Sequence, residues 1–461
     1  MISRRTALGI LGAAAAGGAA YFGLGRRKLI EELDLDREVE NPFRVMRRPF
    51  PAEPGREVSI LSYGGTRLPT LNRDEAQIDY ELGGRLIDFA YRHGINYFDT
   101  GWFYHKGESE KFLGKVLKKY PRKSFMLSDK MAPWCVKTLY DAKKLFEEQM
   151  RRLDTEYIDI YMIHSLSNMS DYIKMTSGLG IMDFLREQQS KGRIRHFGFS
   201  FHGKSDFLRR VLDENPSWAA VITLVNALEH RTNPDSRKVL EVLGERGIPA
   251  IAMEPLGGGR LMNISADAKA RLAEADPGST VAKWGYRYVL SHKQVMCSLS
   301  GMGHMKWLDE NIRTHAEGQF RPFSDDERKL FDGIMDDFAQ RKTIPCTGCR
   351  YCMPCPYGVA IAEVFAWYNS FAVKGRVPTF DGGANDSHAL RREFVMELSR
   401  RVPQGCGPER CVGCRKCKIG CPQFIFSVPD EMKRVADLLV QVKDALRRGA
   451  KGSGLHGKPK E

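Results

Sequence analysis

Between residues 57 and 315, short apolar runs alternate with longer amphipathic stretches, eight times over. The apolar runs fall at 58–63, 97–99, 125–130, 158–164, 196–200, 220–226, 250–254 and 296–300. Their length and their β-branched and aromatic content predict strands. The helical spacing of apolar positions in 81–91, 108–119 and 139–153 predicts amphipathic helices between them. Eight such units in about 250 residues match the size and count of a (β/α)8 TIM barrel, an α/β fold. A doubly wound open sheet is the alternative. It usually carries a glycine-rich fingerprint after its first strand, and Tyr63-Gly64-Gly65-Thr66 matches that poorly.

In barrels of this kind the chemistry sits where strands end and the following loops begin. Those positions hold Asp99 after the second strand, Lys130 at the end of the third and His164 at the end of the fourth, with Tyr104 in the loop beyond Asp99. A lone histidine or aspartate at a strand end is more often a structural hydrogen-bonder than a catalyst. Four such groups at one mouth make a more specific set. An ammonium beside a tyrosine stabilises the phenolate, an aspartate holds the ammonium, and a histidine orients a carbonyl or shares the proton. Together they would act as a general acid on a carbonyl oxygen as hydride reaches the carbon.

Several motifs recur in order: Phe98-Asp99-Thr100-Gly101-Trp102-Phe103-Tyr104, Gly107-Glu108-Ser109-Glu110, Ser128-Asp129-Lys130, the run from Asp159 to His164, and Gly192 through Ser200. This set resembles the aldo-keto reductase signature across the whole barrel. The resemblance implies an Asp99–Tyr104–Lys130–His164 tetrad, a small carbonyl or alcohol substrate, and a nicotinamide nucleotide, NAD(P)H, across the barrel mouth. It places Ser200 and Asn226 against the nicotinamide. Pro255, Leu256, Gly257 and Gly259 would lie along the pyrophosphate, where glycines permit close backbone approach. Gly301, Met302, Glu310 and Asn311 would hold the adenosine end. The sequence departs from the family pattern at Phe201, Thr223, Val225 and Trp307. These stand where an asparagine, a glutamine, a stacking aromatic and a basic residue are frequent, so the nucleotide stays open between NADP, NAD and none.

Nine of the 11 cysteines lie beyond residue 340, a clustering that points to metal rather than to disulfides. Cys346, Cys349, Cys352 and Cys355 form one proline-followed group. Cys411, Cys414, Cys417 and Cys421 form the full C-x2-C-x2-C-x3-C-P run of bacterial ferredoxins. In that run three consecutive thiolates wrap one cubane and the fourth reaches its neighbour. The expected ligands are therefore Cys346, Cys349, Cys352 and Cys421 for one [4Fe–4S] cluster, and Cys411, Cys414, Cys417 and Cys355 for the other. Zinc is the alternative, disfavoured by two such quartets without histidine. Helical patterns at 361–369 and 386–399 resemble the all-helical ferredoxin type. The expected domains are a signal segment (1–28), a linker (29–56), the barrel (57–325), a small, mainly helical ferredoxin-like domain (335–430), and a helix over 431–447 running into a disordered basic tail that ends at 461.

The net charge of +14 raises nucleic acid as a partner, but the basic residues are dispersed and none is expected. Ser3-Arg4-Arg5-Thr6-Ala7-Leu8 resembles the twin-arginine export motif and precedes a weakly hydrophobic run to Gly25. That run suits a signal segment better than a stable span. Cleavage after Ala20 and retention as an uncleaved anchor both stay open. Export after folding would suit a protein whose clusters are inserted in the cytoplasm, and places it in the periplasm or an equivalent extracytoplasmic space. Three functions compete. The first is a carbonyl or alcohol oxidoreductase whose clusters exchange electrons with an external redox partner. The second is an electron-transfer module with the barrel as scaffold, and the third a reductase with purely structural clusters. Clusters pass electrons singly whereas hydride moves two, and no flavin motif bridges the two.

Overall fold

Continuous apolar runs are what parallel strands buried on both faces require. In the computed structural model, which describes residues 36–37, 40–71, 74–215, 217–341, 343–348, 350, 352–419, 421 and 428–452, they form a closed eight-stranded barrel. Two short strands precede it, β1 (Arg47–Pro49) and β2 (Glu57–Ser59). The barrel strands are β3 (Leu61–Gly64), β4 (Tyr97–Asp99), β5 (Met126–Met131), β6 (Ile158–Leu166), β7 (Ile194–Phe201), β8 (Ala220–Leu224), β9 (Ala250–Met253) and β10 (Val295–Ser300). Each pairs in parallel with the next, and β10 closes on β3 through Ser298–Leu61 and Ser300–Tyr63.

The run expected as one strand at 58–63 is two. β2 pairs antiparallel with β1, and the chain then turns at Ile60 into β3. Phe50 and Val58 join Tyr97, Met126, Ile160 and Cys297 in a buried cluster. The segment expected as a linker over 29–56 is thus structural from Val45 onward. The helix Leu139–Leu153 has its expected bounds because Thr138 and Asp141 form a capping box at its start.

The barrel core runs past the expected limit at 325. Helix Asp325–Ala339 buries Phe331, Ile334, Met335 and Phe338 in the same core, and Phe331 stacks on Trp284. An ion pair fastens the helix. Arg287, 1% exposed, donates to Glu327 at 3.0 and 2.7 Å and to the carbonyls of Arg321 and Pro322. The bonds from Arg287 hold the Glu327 carboxyl well below the usual carboxylate range, against the opposing effect of burial. Glu327→Ala would leave the guanidinium buried without its anion and is expected to cost about 3–5 kcal/mol, measurable by chemical denaturation. Because the folded carboxyl is depressed, the pair's stabilisation is complete above about pH 4.3 and is lost as pH falls below it. A wild-type midpoint in the variant, or an unchanged acid limb, would count against this attachment.

Beyond the barrel, the helices Ile361–Ala372, His388–Arg401 and Val428–Gly452 form a second core around Trp367, Phe371, Phe394, Val435 and Leu439. Trp367 packs on Phe394 with ring centroids 4.3 Å apart and donates its indole N–H to the Phe394 carbonyl. The last helix is longer than the 431–447 expected. No helix among the described residues is long and apolar enough to cross a membrane. The signal segment at 1–28 and the end of the basic tail lie outside the described residues.

Candidate active site

The ends of β4, β5 and β6 bring Asp99, Lys130 and His164 to one mouth, and the short turn Tyr104–Gly107 adds Tyr104. Lys130 and Asp99 are each 1% exposed and form an ion pair, with Nζ 2.7 and 2.6 Å from the two carboxylate oxygens. Lys130 also donates to the Thr100 carbonyl, and Ser128 Oγ donates to Asp99 at 2.6 Å. The ammonium lies 4.7 Å from the centroid of the Tyr104 ring, which meets His164 edge-on at 5.8 Å. Burial, with the Lys130 charge adding to it, pushes the His164 imidazole well below its ordinary range, so it is neutral at neutral pH. The turn carrying Tyr104 holds His105 and Lys106 at φ 53° and 55°. His105 pins it by accepting from the Leu68 N–H and donating to the Glu75 carbonyl. All four catalytic candidates therefore meet.

The spacing of motifs did not reveal what supports them. Gln149 donates to the Lys130 carbonyl and to Glu110 and accepts from Tyr161. Glu110 also pairs with Arg152 at 2.8 Å. Burial and the facing Glu110 raise the Asp129 carboxyl well above the carboxylate range, and burial raises Glu110. On the solvent side Trp134, 47% exposed, stacks on Phe103 at 5.6 Å and leans on His164 at 5.3 Å. This gives the mouth a flat apolar wall.

The residues expected around a nucleotide are at the same mouth, but most are engaged by the protein. Ser200 Oγ accepts the Ser165 N–H at 2.6 Å. Asn226 donates to the Glu254 carbonyl and accepts from the Glu229 N–H. Asn311 is buried and donates to Tyr286, while Glu310 accepts from Thr280. The Met302 carbonyl accepts from Tyr63. Gly301 faces the Arg67 side chain, Leu256 packs on Gly285, and Pro255 is buried beside it. Gly257, Gly258 and Gly259 all have positive φ, and Gly258 faces Thr347. Of the departures, Phe201 is buried against Phe207, Thr223 and Val225 are buried, and Trp307 is exposed beside His304.

Cys352, Cys355, Cys411, Cys414 and Cys417 line one cavity of about 350 Å³. Burial raises the Cys417 thiol, which has Cys411, Cys414 and Cys355 as neighbours. Burial likewise raises that of Cys346, which has Cys421 as a neighbour. Cys352, grouped by spacing with Cys346, thus also borders the Cys411 set. Cys349 lies outside the described residues. Among the described residues no three His, Cys, Asp or Glu side chains lie close enough to hold a single metal ion.

The barrel and its mouth define a class. The sequence pattern of the Aldo/keto reductase family matches residues 61–336, and the chain belongs to that family. It is an oxidoreductase, of a family that is generally NAD(P)-dependent. It is similar to L-galactose dehydrogenase of Arabidopsis thaliana, 25% identical over 284 residues, 57% of this chain and 86% of that one. Probable aldo-keto reductase 1 of Glycine max is 25% identical over 316 residues, covering 61% and 86%. Among solved structures, an aldo-keto reductase from Bacillus halodurans in its holo form shares the fold at a TM-score of 0.52 and 21% identity, covering 63% of this chain and 96% of that one. One from Klebsiella pneumoniae in complex with NADPH shares it at 0.50 and 19%, covering 62% and 94%.

Proposed function

We propose that the chain interconverts a small carbonyl compound and its alcohol at the barrel mouth, with Tyr104 giving the proton to the carbonyl oxygen, and that two [4Fe–4S] clusters supply or remove the electrons. The observation that carries this reading is the Asp99–Lys130 ion pair set under the Tyr104 ring. The ammonium stabilises the phenolate left when the proton departs, and Asp99, Ser128 and the Thr100 carbonyl keep that ammonium in place. His164, being neutral, does not compete as an acid and would orient the carbonyl oxygen. The wall of Trp134 and Phe103 favours a substrate with a flat or apolar body.

The cysteine residues fit cubanes better than a lone ion. A cubane spreads its thiolates around a four-iron body; Cys355, Cys411, Cys414 and Cys417, with Cys352, line such a space, and Cys346 has Cys421 as a neighbour. Cys349 and Cys352 would complete the set of Cys346 and Cys421. Bound clusters would supply electrons singly, two per chain when both are reduced; carbonyl to alcohol takes two electrons and two protons, of which Tyr104 gives the one on oxygen and solvent would have to give the one on carbon. Of the residues expected for NAD(P)H, Ser200, Asn226 and Asn311 have polar atoms engaged by the protein and Gly301 faces Arg67, while Gly259 is open, so a nucleotide would have to exchange some of these contacts for its own. An external redox partner would load or unload the clusters.

The test is substrate-dependent reoxidation. Anaerobic protein reduced with dithionite and freed of excess reductant should regain its visible absorbance on adding a carbonyl substrate, with alcohol formed. Absorbance that stays bleached while carbonyl is turned over would rule out the cluster-fed reading. Export follows separately from Arg4 and Arg5. Arg4→Lys with Arg5→Lys should leave the protein in the cytoplasm, and unchanged periplasmic recovery would argue against the twin-arginine route.

A further inference from the structure

We propose that the segment 343–348 is the resident occupant of an anion cradle on the barrel mouth, so that a phosphate-bearing nucleotide enters only by displacing it. In (β/α)8 barrels the loops after the seventh and eighth strands are a recurrent phosphate site. Counted from β3, the seventh strand is β9, and the loop after it holds Gly257, Gly258 and Gly259 at φ 58°, 64° and 91°. Three successive left-handed residues demand glycine and leave the backbone bare for a close neighbour. That neighbour is Thr347. A Cβ at Gly258 would stand 2.4 Å from the Thr347 Cβ, and Thr347 is 7% exposed although it comes from outside the barrel.

Two arginines border the segment. Arg67 donates to the Thr347 carbonyl at 3.0 Å, and Arg260 reaches the Thr343 hydroxyl at 3.4 Å. Both guanidinium groups bond neutral acceptors of the segment, Arg260 also having the Glu229 and Glu254 carboxylates near it, and their planar donor forks match phosphate oxygens. Arg67 also lies over Gly301, in the loop after the eighth strand, so both phosphate-type loops are covered at once. The Thr347 hydroxyl donates to Glu254 at 3.2 Å. On its other side the segment is held by Asn369, which donates to the Ile344 carbonyl at 2.7 Å and accepts the Ile344 N–H at 2.8 Å. The seat therefore ties Cys346 to the barrel mouth. A nucleotide diphosphate and the cysteine-bearing segment exclude one another there.

The competition does not rest on the proposed function. It is tested by titrating NADPH into the anaerobic full-length protein and its Thr347→Gly variant, with hydrogen exchange followed at 343–348. Thr347→Gly should bind NADPH at least about tenfold more tightly, and saturating NADPH should speed amide exchange at 343–348 in the wild type. Equal affinities, no binding in either protein, or wild-type binding with exchange at 343–348 unchanged would each overturn the proposal. Loss or retention of carbonyl turnover does not enter these readouts, so the two proposals fail separately.

Discussion

Tyr104→Phe is expected to lower carbonyl turnover by about 10²–10⁴-fold, the usual contribution of a positioned general acid, while fold and visible absorbance stay as in the wild type. The substitution removes one oxygen. The ring that remains still meets His164 edge-on and still lies beside the Lys130 ammonium, a contact that needs only the aromatic face. Substrate affinity should change little, so the loss should appear in kcat rather than KM. Lys130→Met is a blunter instrument, because it strands Asp99, 1% exposed, without its cation and so tests stability along with chemistry. In the reoxidation assay the Tyr104→Phe protein should accept electrons from dithionite as the wild type does and then retain them in the presence of carbonyl. Wild-type turnover in this variant would remove Tyr104 from the mechanism and, with it, the reason for reading the mouth as a carbonyl site.

That the tetrad could be located from sequence follows from where it sits. Asp99, Lys130 and His164 are anchored to strand ends, and parallel strands buried on both faces leave an apolar run that marks each end. What stayed hidden depends on partners distant in the chain. The turn at Ile60 between β2 and β3 lies in a run interrupted only by Ser59 and Ser62, with no glycine or proline to mark it. The attachment of helix Asp325–Ala339 is made by Arg287, an arginine on a barrel helix that reads as a surface cation until Glu327 is placed beside it. Asn311 and Ser200 carry the residue types a nucleotide site would use, yet the fold directs Asn311 to Tyr286, while Ser200 accepts the Ser165 N–H. The glycines at 257–259 announced a close approach, and the sequence could not say that Thr347 makes it.

Cys355→Ser is expected to remove one cluster and to remove the distant one. By the ligation pattern of two-cluster ferredoxins, the anaerobic wild-type protein should hold about eight irons per chain and the variant about four. In sequence Cys355 belongs with Cys346, Cys349 and Cys352. In space it borders, with Cys352, the cavity lined by Cys411, Cys414 and Cys417, and it is a neighbour of the Cys417 thiol. Cys421, of the second run, is a neighbour of Cys346 in the first, as the reciprocal exchange would require. Each cubane would then be held by three thiolates from one run and one from the other, which ties the two halves of the C-terminal core together. Iron content alone does not identify the missing cluster, so the spectrum of the survivor decides. The reduced EPR signal left in Cys355→Ser should match that left in Cys411→Ser, because both lose the same cluster, and should differ from that left in Cys346→Ser. A match to Cys346→Ser would mean that each run closes on its own cluster. About four irons in the wild type would mean that only one quartet is filled.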